Sequence, residues 1–184
     1  RIINEQSNRL AMNVEKVLNL TALEKNKLHL VNESIDLHPF TEKTIARFQQ
    51  SKLGMQAQIT MVNHARDSRI WADPFHLGNI LQNILENAIK YCRNSPVIEI
   101  TLLEKRKHIH LKIKDNGIGI PLDARKKIFR KFYRVPTGNI HDVKGFGLGL
   151  DYVHRIVKAH RWKIKVEGND LGGSTFTLII PKRR

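Results

Sequence analysis

The chain has 184 residues, 41% of them hydrophobic and 27% charged, which suits one globular domain with an appendage and excludes a disordered or membrane-embedded protein. No apolar run reaches the ~18–20 residues that cross a bilayer, and no signal-peptide pattern opens the sequence. The formal net charge of +15 raises the question of an anionic partner, yet the basic residues are spread along the whole chain, so charge alone assigns no function.

The first element predicted is an amphipathic helix from Ile3 to about Glu24, with Ile3, Leu10, Val14, Val17, Leu18 and Thr21 at three- and four-residue steps. Such a stripe needs a partner helix, so a bundle or coiled coil is implied. Arg1 already falls inside this pattern, and the chain reads as a piece of something longer. Ile35-Asp36-Leu37 is a short extended stretch ending at His38-Pro39, and a helix is predicted from Thr41 to Lys52. Strands follow at Gln58–Val62 and Arg69–Ala72. Asp73-Pro74 then opens a long helix as N-cap and first-position proline. The lone cysteine, Cys92, near that helix's end, fits a reducing compartment. Val97–Leu103 and His108–Lys114 alternate like a hairpin. Residues 122–132 are predicted helical, 134–147 a glycine-containing loop, and 148–160 helical. Lys163–Glu167 and Ser174–Ile180 close the chain as a hairpin through Gly172-Gly173. Strand pairs mixed with helices indicate an α+β sandwich, a largely antiparallel sheet with helices on one face.

The helix from Phe75 to Tyr91 carries the most chemistry. Leu77, Ile80, Leu81, Ile84, Leu85, Ala88 and Ile89 fill one side. Asn79, Asn83, Glu86, Asn87 and Lys90 fill the other. Asparagine is a mediocre helix former, so three at four-residue spacing point to a task other than helix formation. Mg²⁺ takes oxygen ligands and usually only one or two from protein, substrate phosphates supplying others. Asn83 and Asn87, one turn apart, suit it, and Lys90 on the same face suits a phosphate. Asp115 follows a strand directly and is trailed by Gly117 and Gly119. A carboxylate only accepts hydrogen bonds, so it fits the amino group of adenine and clashes with the carbonyl of guanine. Gly145, Gly147 and Gly149 open a helix whose free N–H groups favour phosphate oxygens, although the spacing is neither a Rossmann nor a P-loop pattern.

Four segments resemble the motifs of histidine kinases. Asn83-Ile84-Leu85-Glu86-Asn87-Ala88-Ile89-Lys90-Tyr91 resembles the N box, Asp115 to Pro121 the G1 box, Ile128 to Arg134 the F box, and Gly145 to Leu150 the G2 box. Gly172 to Leu178 also resembles the family's last strand. The resemblance covers roughly residues 31–184. It implies the two-layer α/β sandwich known as the Bergerat ATP-binding fold, preceded by one amphipathic helix. Residues 1–30 then stand as the end of the dimerisation and phosphoacceptor hairpin, and 31–184 as the catalytic domain. By resemblance Asn87 ligates Mg²⁺ with Asn83 in support. Lys90, Tyr91, Gly117, Gly119, Phe132, Gly145, Gly147, Leu148, Gly149 and Thr175 contact ATP. Asp115 reads the adenine, and Arg134, Lys90 and Asn83 serve the transfer.

The implied activity is transfer of the ATP γ-phosphate to a histidine outside this chain, for relay to a response regulator. No histidine on the N-terminal helix stands in the acceptor pattern, and autophosphorylation of this chain alone is not expected. Related hydrolases place a glutamate four residues before the magnesium asparagine, where this chain has Asn83. The implied partners are the phosphoacceptor hairpin of the same full-length kinase, a response regulator and a second copy in a full-length homodimer, with no nucleic acid. The implied setting is the cytoplasmic portion of a bacterial inner-membrane protein. Two departures stand out. Arg161-Trp162 replaces a glycine pair common in the family, and Pro136 follows the Arg134-Val135 pair where an aspartate is common.

Overall fold

The computed structural model describes residues 29–135 and 146–182. The helix predicted from Ile3 to Glu24 and the loop residues 136–145, Gly145 among them, lie outside the described residues. The chain divides into two compact units, Arg1–Leu30 and Val31–Arg184, and the fold is that of the second.

In chain order this unit contains β1 (Glu33–Asp36), α1 (Leu37–Gln49), β2 (Gln58–Asn63), β3 (Arg69–Ala72), α2 (Pro74–Lys90), β4 (Val97–Lys105) and β5 (His108–Asp115), then α3 (Gly149–Ala159), β6 (Lys163–Gly168) and β7 (Ser174–Pro181). Five strands form one sheet in the order β2-β4-β5-β7-β6, and β1 with β3 makes a separate two-stranded ribbon. Only β2 and β4 pair in parallel, because the chain between them crosses over through α2.

The sheet alternates as a half-covered sheet must. Ile98, Ile100 and Leu102 of β4, Ile109, Leu111 and Ile113 of β5, and Phe176, Leu178 and Ile180 of β7 are buried. They meet Leu77, Ile80, Leu81, Ile84 and Leu85 of α2 and Val153, Ile156 and Val157 of α3, all almost without exposure. Each such Leu or Ile contributes ~1.5–3 kcal/mol by burial. The apolar stripe of α2 therefore faces the core as its periodicity requires, and the polar stripe is left at the rim.

Local chemistry moved two boundaries. Helix α1 begins at Leu37, not Thr41, because the Asp36 carboxylate and Ser68 Oγ both accept from the His38 N–H. Pro39 then sits in the first turn, where a missing donor costs little. Residues 122–132 are not a helix; they hold turns and one short 3-10 segment, Lys127–Phe129. Ala124 and Ile128 are buried. The backbone then becomes extended at Arg130 and left-handed at Phe132, with φ 62°.

Candidate functional site

Helix α2 is fixed at its start by Asp73, whose carboxylate accepts from His76 N–H at 3.0 Å. The same carboxylate accepts from Val31 N–H at 2.8 Å, so the entry of the domain is tied to the helix that carries the asparagines. At the far end Tyr91 is the C-cap, and its carbonyl accepts from Ile118 N–H at 2.9 Å. That bond brings the loop after β5 against the end of α2. Gly117 permits the approach, since a Cβ there would lie 2.8 Å from the Tyr91 carbonyl oxygen.

Asp115 ends β5 at 7% exposure. One carboxylate oxygen accepts from Gly117 N–H at 2.9 Å and Ser174 N–H at 3.1 Å, and the other accepts nothing from a described residue. Burial pushes this carboxyl above the usual aspartate value, and the two backbone donors pull it partly back. The β6–β7 turn closes on the same residue: Asn169 Nδ2 donates to the Asp115 carbonyl at 2.9 Å, and a Cβ on Gly173 would lie 2.1 Å from that carbonyl oxygen.

The opposite wall is the start of α3. No side chain caps it, so its first-turn N–H groups remain available to an anion. A Cβ on Gly149 would meet Asn83 Oδ1 at 2.6 Å, and Asn83 Nδ2 donates back to the Asn79 carbonyl at 2.7 Å. Gly147, at φ 68°, accepts from Phe132 N–H at 3.1 Å, which binds the segment 130–134 to the glycine loop. Tyr152 of α3 links back to α2 through His76 Nδ1 at 2.7 Å and Asn79 Nδ2 at 3.3 Å. Four segments distant in sequence therefore share one rim. The rim offers a free amide for a hard cation, an acceptor for an amino group and a bare helix start for phosphate oxygens. These groups fit a magnesium-bound adenine nucleotide. A neighbouring cleft of about 300 Å³ shares Gly119 and Gly173 with this rim, but Asn87, Lys90 and Asp115 do not line it.

Residues 72–184 match the family described as "Histidine kinase-, DNA gyrase B-, and HSP90-like ATPase". The chain belongs to this family. Among its relatives, the sensor protein RprX of Bacteroides fragilis is 36% identical over 182 residues, covering 98% of this chain and 35% of RprX. This chain thus spans about a third of the length of that relative. The Acinetobacter baumannii histidine kinase AdeS is 26% identical with a TM-score of 0.75, over 98% of this chain and 82% of that one. Full-length ShkA, solved in complex with AMPPNP, has a TM-score of 0.80 at 22% identity, over 98% of this chain and 38% of its own, and shows a shared fold.

In this ATPase-family domain the residues expected from the sequence sort into three groups. Asn87, Tyr91, Asp115, Gly117 and Gly119 lie along α2's end and the loop it holds, and Phe132, Gly147, Leu148 and Gly149 gather at the start of α3. Phe132 is 64% exposed, which makes it a rim residue and not core. The second group is occupied elsewhere. Asn83 is turned onto Asn79 and Gly149, so Asn87 alone presents an amide that no described residue engages. Lys90 Nζ rests 2.7 Å from Glu86 Oε2, and Gln82 Nε2 donates to the other Glu86 oxygen at 3.0 Å. Arg134 is exposed, two residues beyond Phe132. The third group is Thr175, which the structure does not bring to this rim. Thr175 stands in one cross-strand row with Lys114 and Glu167, on the sheet face away from the helices. Ser174 is the buried neighbour that donates to Asp115. Ser174 and Asn169 were missed by sequence reasoning; the Gly172-Gly173 pair, which lets the turn approach so closely, was the available signal.

Proposed function

We propose that this domain binds ATP with Mg²⁺ and transfers the γ-phosphate to a histidine of the dimerisation hairpin in the same full-length kinase. The observation that carries the reading is Asp115, a buried carboxylate with one oxygen spent on backbone donors and the other left as an acceptor. It accepts from the adenine amino group and rejects a carbonyl in that place. Asn87 supplies an oxygen to the metal, and Asn83 holds the start of α3 against α2. Bound magnesium supplies charge neutralisation at the phosphates. The first-turn N–H groups after Gly147 bind phosphate oxygens, and Arg134 balances charge on the transferred group. Lys90 reaches a phosphate by leaving Glu86, an exchange of one anion for another.

Asn83 stands where related hydrolases carry a glutamate, and an amide takes no proton from water. Glu86, the nearest carboxylate on α2, is held by Gln82 and Lys90. The nucleophile is therefore a neutral imidazole brought from outside: its N–P bond forms, the bond to the β-phosphate oxygen breaks, and ADP leaves. In this reading residues 1–30 are the end of the hairpin, a response regulator receives the phosphate, and the parent is a homodimeric bacterial sensor with this part in the cytoplasm. No helix among the described residues is long and apolar enough to cross a membrane. The test supplies γ-labelled ATP, Mg²⁺ and the histidine hairpin of the same protein in trans. Acid-labile label on the hairpin and none on this chain is the expected result. ATP hydrolysis without labelled hairpin would refute the transfer.

A further inference from the structure

The five-stranded sheet has two faces, and the described helices cover only one. Cross-strand register places Lys112 opposite Thr177 and Thr177 opposite Lys165; in the next row His110 faces Ile179 and Ile179 faces Lys163. Lys105 and His108 pair beyond them at the β4–β5 turn. The six basic residues among these lie on the open side, exposed or half-exposed, with Thr177 buried between them.

Charge on this face is polarised. At one end Lys114 is neutralised by Glu99 at 3.3 Å and Asp170 at 2.9 Å, with Glu167 in the same row. Toward the β4–β5 turn, Lys105, Lys112, Lys163 and Lys165 form no ion pair with a described carboxylate. The cations are close enough to act on one another. His110 is held below the usual histidine value first by burial and then by Lys105, His108, Lys112 and Lys165. Leu103 and Ile179 lie half-exposed among them. Nothing in the ATP reading uses these residues.

We propose that this open sheet face is an electrostatic docking surface for an anionic phospholipid bilayer. Strands two apart are separated by roughly 10 Å, so the lysines of β5 and β6 lie close enough together to act on one layer of headgroups. Protein interfaces are depleted in lysine and enriched in arginine and aromatic rings, the reverse of this composition. Single-stranded nucleic acid is held by aromatic stacking, and the face carries no Phe, Tyr or Trp. Sequence-specific duplex recognition places a helix or a strand ribbon in a groove, and the described helices lie on the other face. A bilayer asks only for clustered lysines within a Debye length, about 10 Å at 0.1 M salt.

The test is co-sedimentation of the 184-residue chain with vesicles of phosphatidylglycerol and phosphatidylcholine, against vesicles of phosphatidylcholine alone. Binding to the anionic vesicles only, weakening as salt rises, is expected. The triple variant Lys112→Glu, Lys163→Glu, Lys165→Glu should lose at least about tenfold in partitioning. Lys43→Glu, Lys52→Glu, Lys158→Glu, an equal charge change outside the sheet, should stay within about twofold of the parent. Unfolding temperature checks each variant, and glutamine replacements at the same three sheet positions serve if the glutamates unfold it. Three outcomes overturn the proposal: no preference for anionic vesicles, equal loss in both triples, or displacement from vesicles by duplex DNA at equal phosphate concentration. The last would move the face to nucleic acid.

Discussion

Asp115→Asn separates a residue that reads a ligand from one that holds the fold. The replacement is nearly the same shape, and an amide oxygen can still accept from Gly117 and Ser174, the bonds of 2.9 and 3.1 Å. Only the outward atom changes, from acceptor to donor. Burial already disfavours the carboxylate, as the upward push on its pKa indicates, so removing the charge costs the fold nothing. Stability should stay level or rise slightly, and by the linkage sign the loss of a raised carboxyl removes a penalty present at neutral pH. Nucleotide binding should suffer, because an adenine amino group then faces a donor. A buried unmatched donor pair costs about 1–3 kcal/mol, roughly five- to 150-fold in affinity. Titration calorimetry with AMPPNP and Mg²⁺, beside thermal unfolding, reads both quantities. Discrimination against GTP should shrink in the same variant. Lower stability with unchanged nucleotide affinity would mean that Asp115 is structural, and the adenine assignment would fail.

Other outcomes follow from the same geometry. Gly173→Ala should destabilise by about 2–4 kcal/mol, because its Cβ would enter the Asp115 backbone; chemical denaturation measures it. Arg161 holds φ 59°, a conformation costing about 1–2 kcal/mol in a non-glycine residue. Arg161→Gly should recover ~0.5–1 kcal/mol after the greater chain entropy of glycine, raising Tm by a few degrees, about 1–4 °C. His160 is half-buried: Nε2 accepts from Asp73 N–H at 3.1 Å, while Nδ1 lies 2.9 Å from the Ile156 carbonyl. Burial holds it, His76 and His154 below the usual histidine value. Their contribution is complete above the unfolded pKa of about 6.5 and is lost as pH falls toward the lower folded values. Stability should therefore drop between pH 7 and 5, with a ceiling of about 1.4 kcal/mol per pH unit for each histidine. His160→Gln should flatten the slope in denaturation at a series of pH values.

Periodicity made the frame of the molecule legible. The stripe from Leu77 to Ile89 and the Asp73-Pro74 start defined α2 to within a residue, and strict alternation gave β4 and β5. The gathered glycines and the carboxylate after β5 were legible because each needs a particular backbone path. What escaped depended on partners far along the chain. The start of α1 relies on Ser68, and the break at residues 130–132 relies on a bond to Gly147. Asn83 lies against Gly149, a contact that its four-residue spacing from Asn87 does not reveal. Thr175 and Ser174 differ by one position, which in a strand means opposite faces. The turn at Arg161 shows the opposite lesson: a glycine-like backbone persists under a bulky side chain, since Trp162 behind it is buried and packs on His160 at 4.4 Å between rings.

The most direct measurement is the magnesium dependence of AMPPNP binding by the parent, Asn87→Ala and Asp115→Asn proteins. The parent and Asp115→Asn should both bind more tightly when Mg²⁺ is added, from different starting affinities, while Asn87→Ala loses most of that gain. An unaltered magnesium response in folded Asn87→Ala would contradict the assignment of the α2 rim to a metal-bound nucleotide.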